Sequence, residues 1–417
     1  MPKFVIEESK RLNGSIVVQG AKNSSLPILA ATILCGDKCI LHNCPKLSDV
    51  ETCVKILRYL GADVKRDENT ITVDTRYIDR FDIPDELMRE MRSSIVFLGA
   101  IVARMGFASL SLPGGCELGP RPIDLHLKAM RNLGIKIMDY YGVIDCETPN
   151  GIKGAKVSLS FPSVGATENI MLCAVLAKGT TIITNAAREP EICDLADFLI
   201  TCGAKITGAG EGTIYIEGVE KLNGCQHSII PDRIVATTYM VATAITGGAV
   251  ELKNVVTSHL SAIIPIIEET GCEVIINKNS IYVKAPLKLR SPKIIRTMPY
   301  PGFPTDAQAP LMSLTTICDS TSLFVENIFE SRYKHVGELA RLGASIKVEG
   351  RVAVVQGVKK LYGAKVEAQD LRGGAALVVA GLVAKEKTEI NSIKFIERGY
   401  ENLELNLSSV GANIKKI

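Results

Sequence analysis

The chain has 417 residues, of which 47% are hydrophobic and only 5% aromatic, with no Trp. Its formal charge of +3 and the lack of any Lys/Arg run argue against an electrostatic nucleic-acid binder. Apolar runs such as residues 95–103 and 375–384 are too short to cross a bilayer, so no membrane association is expected.

The length exceeds one ordinary core and predicts two or more domains. The N-terminal residues lack the apolar stretch of a signal peptide, which points to a cytoplasmic protein. Twelve cysteines are scattered, mostly in apolar runs, as small buried hydrophobes would be. Cys35, Cys39, Cys44 and Cys53 crowd together, but zinc spacing is read in no pair, and no metal is expected.

In chain order, the first strands precede Gly20-Ala21. An apolar, Ala-rich helix follows around residues 26–31, then a short strand at residues 39–42 and an amphipathic helix over residues 50–60. That helix ends in Leu60-Gly61-Ala62-Asp63-Val64, and the phrase recurs five times. Its later copies centre on Gly134, Gly203, Gly271, Gly343 and Gly411, roughly 70 residues apart. Each glycine suits the left-handed position that ends a helix, and the Val/Ile alternation after it reads as a strand.

Each repeat thus reads as a strand, a buried helix, a strand, an outer helix and two strands. Six repeats predict an α/β fold of two lobes, each with three units whose buried helices are enclosed by mixed sheets. Residues 1–21 and 231–417 form the first lobe. Residues 22–230 form the second, which carries the loop 113–122.

Polar residues gather where the buried helices begin: Lys22-Asn23, Arg92-Ser93, Ser163-Val164-Gly165, Asp232-Arg233, Thr305-Asp306 and Arg372-Gly373-Gly374. Ser163, Asp232 and Thr305 read as N-caps. Lys22, Arg92 and Arg372 oppose the helix dipole, and an anionic ligand explains them economically. The second loop of each repeat carries Lys46, Arg121, Glu189, His259, Arg332 and Arg398 at about the same place. The predicted site is therefore a cleft between lobes where Lys22, Arg121, Arg332, Arg372 and Arg398 meet Asp306 and Cys116. Such a set suits a small, highly charged substrate, because arginine forks match carboxylate and phosphate oxygens.

Cys116 lies in Pro113-Gly114-Gly115-Cys116-Glu117-Leu118-Gly119-Pro120-Arg121-Pro122. A cation beside a thiol favours the reactive thiolate, so this sulfur is either reactive or a passive loop cysteine. His126 either orients its loop or takes a direct part in catalysis.

These segments, together with residues 163–169, 185–191, 231–233, 303–306, 370–372 and 397–400, closely resemble the enolpyruvyl transferases over essentially the whole chain. The resemblance implies an inside-out α/β barrel fold, with two lobes of three units. It also implies transfer of the enolpyruvyl group of phosphoenolpyruvate to the 3′-hydroxyl of UDP-N-acetylglucosamine, the first committed step of peptidoglycan synthesis. Neither a metal nor a redox cofactor is needed, and a monomer is expected.

By the same resemblance, Cys116 is the acid and forms a covalent adduct, and Asp306 is the base. Lys22, Arg121 and Arg398 hold phosphate; Arg332 and Arg372 face the carboxylate. Asn23 bonds the tetrahedral intermediate. Arg92, Arg121, Pro122, Ile123, Asp124, Leu125, Ser163, Val164, Gly165 and Ile328 line the nucleotide-sugar site, and the glycines of the 113–122 loop make it a lid. Two departures are notable. Residues 160–162 lack a lysine carried by some members, and Gly373-Gly374 replaces a small polar pair, which is expected to loosen that helix start. The nearest alternative in the family is the enzyme that makes 5-enolpyruvylshikimate 3-phosphate. Outside it, the alternative is a non-catalytic repeat scaffold.

Overall fold

A computed structural model describes residues 2–112 and 123–417. The described chain divides into two compact units, one running from Gly20 to Ile230 and the other joining the residues up to Gln19 with Pro231–Ile417. Each unit has its own apolar core. No helix among the described residues is long and apolar enough to cross a membrane.

Six core helices follow the sixfold repeat: α1 (Lys22–Cys35), α2 (Phe97–Met105), α3 (Val164–Ala174), α4 (Arg233–Ile245), α5 (Thr305–Thr315) and α6 (Leu371–Gly381). The first three belong to the Gly20–Ile230 unit and the last three to the other. Their Ala, Leu, Ile and Val content leaves no polar face, which is the pattern of a helix buried all round.

The positions that escape burial are not random. In α1 and α3 to α6 they are Asn23; Val164 and Gly165; Arg233; Thr305 and Asp306; and Leu371. All lie within the first two residues of their helix, so five of the six helices reach solvent only at their N-terminal ends. In the second repeat the start is longer. Arg92 opens a 3-10 turn, Arg92–Val96, that leads into α2, rather than standing at the first α-helical residue as expected.

Each repeat contributes one four-stranded sheet, and all six sheets share a plan of one parallel pair followed by two antiparallel pairings. In the Gly20–Ile230 unit the middle sheet runs Asp82–Ile83, Phe107–Ser111, Val143–Glu147, Lys136–Tyr140. The third runs Lys156–Ser158, Thr180–Thr184, Thr213–Glu217, Lys205–Thr207. The first has the same order, but its outer parallel strand, Gln226–Ser228, comes from the end of the unit and pairs with Lys38–His42 in the register Gln226↔Ile40.

The other unit borrows in the same way from the chain's beginning. Asn13–Val17 is the parallel partner of Ala249–Lys253, and Phe4–Ile6 lies between Thr388–Asn391 and Ile414–Lys416. In each unit a strand distant in sequence completes a sheet, so the three repeats are tied end to end. Strand residues alternate between buried and exposed, as in Thr321–Val325, and turn one face to the core helices.

All six repeated glycines have positive φ, between +84° and +107°, and each lies one position past the cap of an outer helix. In the first repeat Gly61 N–H donates to Arg58 and Ala62 N–H to Leu57, the paired bonds of a Schellman end. The repeats centred on Gly134, Gly203, Gly343 and Gly411 close in the same way.

Candidate active site

The expected site residues divide between the units. Lys22, Asn23, Arg92, Ile123, Asp124, Leu125 and Ser163–Gly165 belong to the unit Gly20–Ile230; Asp306, Ile328, Arg332, Arg372 and Arg398 belong to the other. Cys116, Arg121 and Pro122 lie outside the described residues.

Asp306 is the second residue of α5, and two arginines converge on its carboxylate. Arg332 Nη2 donates to Oδ1 at 2.9 Å and to the Thr305 carbonyl at 3.1 Å. From the first turn of α6, Arg372 donates to Oδ2 through Nη2 at 3.2 Å and Nε at 3.3 Å. The Arg332 and Arg372 side chains are 3% and 2% exposed, against 28% for Asp306.

Arg372 also stacks on Tyr400, 5.3 Å from the ring centre, and Arg332 lies over Phe329. Burial pulls the Arg372 guanidinium down, but Tyr400, Asp306 and Asp232 outweigh it, and its proton is held more firmly than usual. Among the described residues, two buried donors, Arg332 Nε and Arg372 Nη1, have no acceptor. Buried N–H groups normally have partners, so this pair suits an incoming anion.

A second layer fixes these groups. Glu326, fully buried, accepts from Thr297 Oγ1 and from the Ile328 and Phe329 N–H groups through Oε1, and from Thr305 Oγ1 through Oε2. It therefore ties the Ile328 turn to the start of α5. Thr305 was expected to cap that helix; instead it is the first helical residue, its hydroxyl is spent on Glu326, and Pro304 stands at the cap.

The α6 start is not loosened either. Asp370 accepts from Arg372 N–H at 3.0 Å and Gly373 N–H at 2.9 Å. A Cβ at Gly373 would lie 2.6 Å from Asp370 Oδ2, and one at Gly374 would lie 2.6 Å from Ile396 Cγ1. A side chain at either position would have to displace these neighbours. The half-buried Arg398 lies in the turn before Tyr400, and the adjoining Gly399 packs against Leu371, the first residue of α6.

In the other unit, Lys22 opens α1 without a side-chain cap, and its ammonium is 2.6 Å from Asp49 Oδ2. Both side chains are nearly buried. The cations at helix starts thus have acids of the protein itself beside them: Asp49 for Lys22 and Asp306 for Arg372. An anionic ligand is not the sole explanation of the misfit. Asp49 escaped sequence reasoning because it reads as an ordinary acid in the first turn of the outer helix Ser48–Tyr59.

Ser163 caps α3 as expected, accepting from Ala166 N–H at 3.3 Å. Behind it Asn169 makes three bonds. Its carbonyl accepts from Gly99 N–H at 2.8 Å, and its amide donates to the Ile95 carbonyl at 3.1 Å and to His126 Nδ1 at 2.8 Å. Burial, then the Arg92 charge, lowers His126 to about 4. A neutral ring whose Nδ1 accepts must carry its proton on Nε2. A Cβ at Gly165 would lie 3.0 Å from His126 Cε1 and 3.3 Å from Nε2, so the imidazole lies against the open start of α3. His126 has a positioning place at the Ser163–Gly165 turn. Lys46, at the same repeat position as Arg332 and Arg398 but not among the expected site residues, is an exposed residue paired with Glu68.

A family model described as EPSP synthase (3-phosphoshikimate 1-carboxyvinyltransferase) matches residues 6–407. The chain is 51% identical over 417 residues, the whole of both chains, to UDP-N-acetylglucosamine 1-carboxyvinyltransferase 2 of Caldanaerobacter subterraneus subsp. tengcongensis. It is 49% identical over 419 residues, again end to end, to the protein of the same name from Carboxydothermus hydrogenoformans. Among solved structures, the enolpyruvyl transferase NikO from Streptomyces tendae superposes with a TM-score of 0.90 at 24% identity, covering 100% of this chain and 98% of that one. That likeness speaks for the fold. On the full-length identities, the chain belongs to the EPSP synthase family, among its UDP-N-acetylglucosamine 1-carboxyvinyltransferases.

Proposed function

We infer that this chain transfers the enolpyruvyl group of phosphoenolpyruvate to the 3′-hydroxyl of UDP-N-acetylglucosamine and releases phosphate, the committing step of peptidoglycan synthesis. The observation that carries this reading is the end-to-end identity with relatives of that activity. The Asp306 array supports it, because two buried donors without acceptors beside a carboxylate suit a small anion next to a base.

The chemistry is addition followed by elimination. In the first step the sugar hydroxyl oxygen bonds to C2 of phosphoenolpyruvate, the hydroxyl proton leaves, and the methylene carbon gains a proton. In the second that methyl proton leaves, the double bond reforms and phosphate departs. Asp306 takes the hydroxyl proton, and hydrogen bonds from two guanidinium groups fix its direction. Cys116 delivers the proton to the methylene carbon and forms the covalent adduct. Lys22, Arg121 and Arg398 hold the phosphate, while Arg332 and Arg372 take the carboxylate. Asn23 binds the tetrahedral intermediate. Arg92, Arg121, Pro122, Ile123, Asp124, Leu125, Ser163, Val164, Gly165 and Ile328 bind the nucleotide sugar. Fixed cations around a developing anion are the large contribution in such catalysis.

The three sheets of each unit, wrapped on three buried helices, support an inside-out α/β barrel as the architecture, with lobes 1–21 plus 231–417 and 22–230. A cytoplasmic monomer acting without metal or redox cofactor in the transfer itself completes the reading.

The test is phosphate release from phosphoenolpyruvate with either UDP-N-acetylglucosamine or shikimate 3-phosphate as acceptor. Release with the first is expected. Release only with the second would reassign the chain within its family, and release with neither would end the enzymatic reading. Incubation with both substrates should add mass to the wild-type protein and not to Cys116→Ala; an unchanged adduct would remove Cys116 from its role.

A further inference from the structure

Four cysteines far apart in the chain meet at one place in the Gly20–Ile230 unit. Cys35 is the last residue of α1, and Cys39 lies in the strand Lys38–His42. Cys202 caps the C-terminal end of the outer helix Pro190–Thr201, and Cys225 directly precedes the strand Gln226–Ser228. The Cys202 sulfur is 3.5 Å from that of Cys35 and 3.2 Å from that of Cys225. The sulfurs of Cys35, Cys39 and Cys202 all lie within 4.8 Å of one another. All four are free thiols; three are buried and Cys225 is half-buried.

We propose that Cys35, Cys39, Cys202 and Cys225 form a tetrathiolate site for a zinc-class divalent cation. Four sulfurs placed tetrahedrally about 2.3 Å from zinc are separated by about 3.8 Å; the Cys35–Cys202 and Cys202–Cys225 separations lie near that value, and Cys225, which stands outside the group of three whose sulfurs lie within 4.8 Å of one another, would move in to complete the set. The donor set is purely thiolate, which suits zinc among the abundant divalent ions. A packing role as small hydrophobes does not require sulfurs from separate elements to gather at one place.

Sequence reading missed the cluster. The three-residue gap between Cys35 and Cys39 falls within zinc-ligand spacing, but the other pair is more than 160 residues away. The sequence reading expected no metal at these cysteines, and the proposal departs from that expectation.

Such a site would be structural, with all four positions filled by protein. Its location gives it work to do. Ile40 N–H donates to the Cys225 carbonyl at 2.9 Å, where the unit's last strand joins its first. A bound ion would staple that closing strand to α1, to the first-repeat strand and to the third-repeat outer helix.

The test uses full-length protein purified under reducing conditions without a metal-affinity tag. Elemental analysis should find one zinc per chain, and Cys202→Ser/Cys225→Ser should lack it. Metal-free wild type titrated with Co(II) should develop thiolate-to-cobalt charge-transfer absorption with tetrahedral visible bands, also lost in the double variant. Chelation should lower the unfolding temperature of the wild type only, with phosphate release measured alongside as a check on folding. Three results would overturn the proposal: no stoichiometric zinc together with no cobalt spectrum in the wild type, zinc content unchanged in the variant, or a Cys202–Cys225 disulfide in the reduced purified protein. The wild-type cobalt titration decides the matter even where the variant does not fold.

Discussion

Asp306→Asn separates the two tasks assigned to this carboxylate. The exchange keeps shape and removes the negative charge between guanidinium groups that are 3% and 2% exposed. Removing one partner of a buried ion pair costs about 3–5 kcal/mol. Water reaches the Asp306 side chain, which is 28% exposed, and screens part of that loss. The expected destabilisation is therefore about 2–3 kcal/mol, read from urea unfolding in a phosphate-free buffer of low ionic strength. The variant retains the two donors that already lack acceptors, and its neutral amide is a weaker partner for both arginines than the carboxylate was. It should therefore gain more from added phosphoenolpyruvate than the wild type does. Loss of the base should lower turnover by about 10²–10⁴-fold. A wild-type unfolding midpoint with wild-type turnover would refute the reasoning. A large stability loss that phosphoenolpyruvate does not relieve more than in wild type would refute anion binding by Arg332 and Arg372.

Gly165→Ala puts a methyl group 3.0 Å from His126 Cε1, and Asn169 holds that ring in place; KM for UDP-N-acetylglucosamine should rise several-fold while stability falls by only about 1 kcal/mol, both measured on one preparation. Burial, with Glu191 and Glu189, raises Glu168 from its ordinary 4.5 to about 8. Between those values the folded chain holds a proton that the unfolded chain releases, so stability is fully present below 4.5 and declines as pH rises toward 8. Glu168→Gln should remove that decline and gain up to about 3 kcal/mol on wild type between pH 5 and pH 8 in parallel urea titrations; equal slopes would count against the buried acid. Gly411→Ala meets no atom within 4 Å but sits at φ +101°, so it should lose about 1–2 kcal/mol from backbone strain alone with activity intact.

The parts legible in the sequence are those with a local cause. A glycine at the end of a helix and an alternating strand behind it are decided within six residues, and all six repeats fold that way. Contacts between distant segments were legible only through repeat position. That logic brought Arg332 and Arg372 to Asp306, although the same repeat position also holds the exposed Lys46. Capping failed by one residue. Thr305 and Asp370 both stand near a helix start, and only the backbone shows that Asp370 has the extended cap conformation while Thr305 is already helical. Asn169, Glu326 and Asp49 gave no signal, because a buried polar residue in an apolar run is recognised by partners that lie tens of residues away.

Repetition also explains how the two units came to differ at equivalent positions. In the unit holding Pro231–Ile417, every core helix has an aspartate at its start: Asp232 and Asp370 as caps and Asp306 in the first turn. In the unit Gly20–Ile230, the three core helices have neither an acidic cap nor an acid in the first turn. An aspartate at that position offsets the helix dipole and can orient an arginine, as Asp306 does for Arg372. Where it is missing, other groups serve: Ser163 caps α3 by accepting from Ala166 N–H, and Asp49, from the outer helix, pairs with Lys22 at the start of α1. One backbone position, copied six times, thus carries an aspartate in every repeat of one unit and in none of the other.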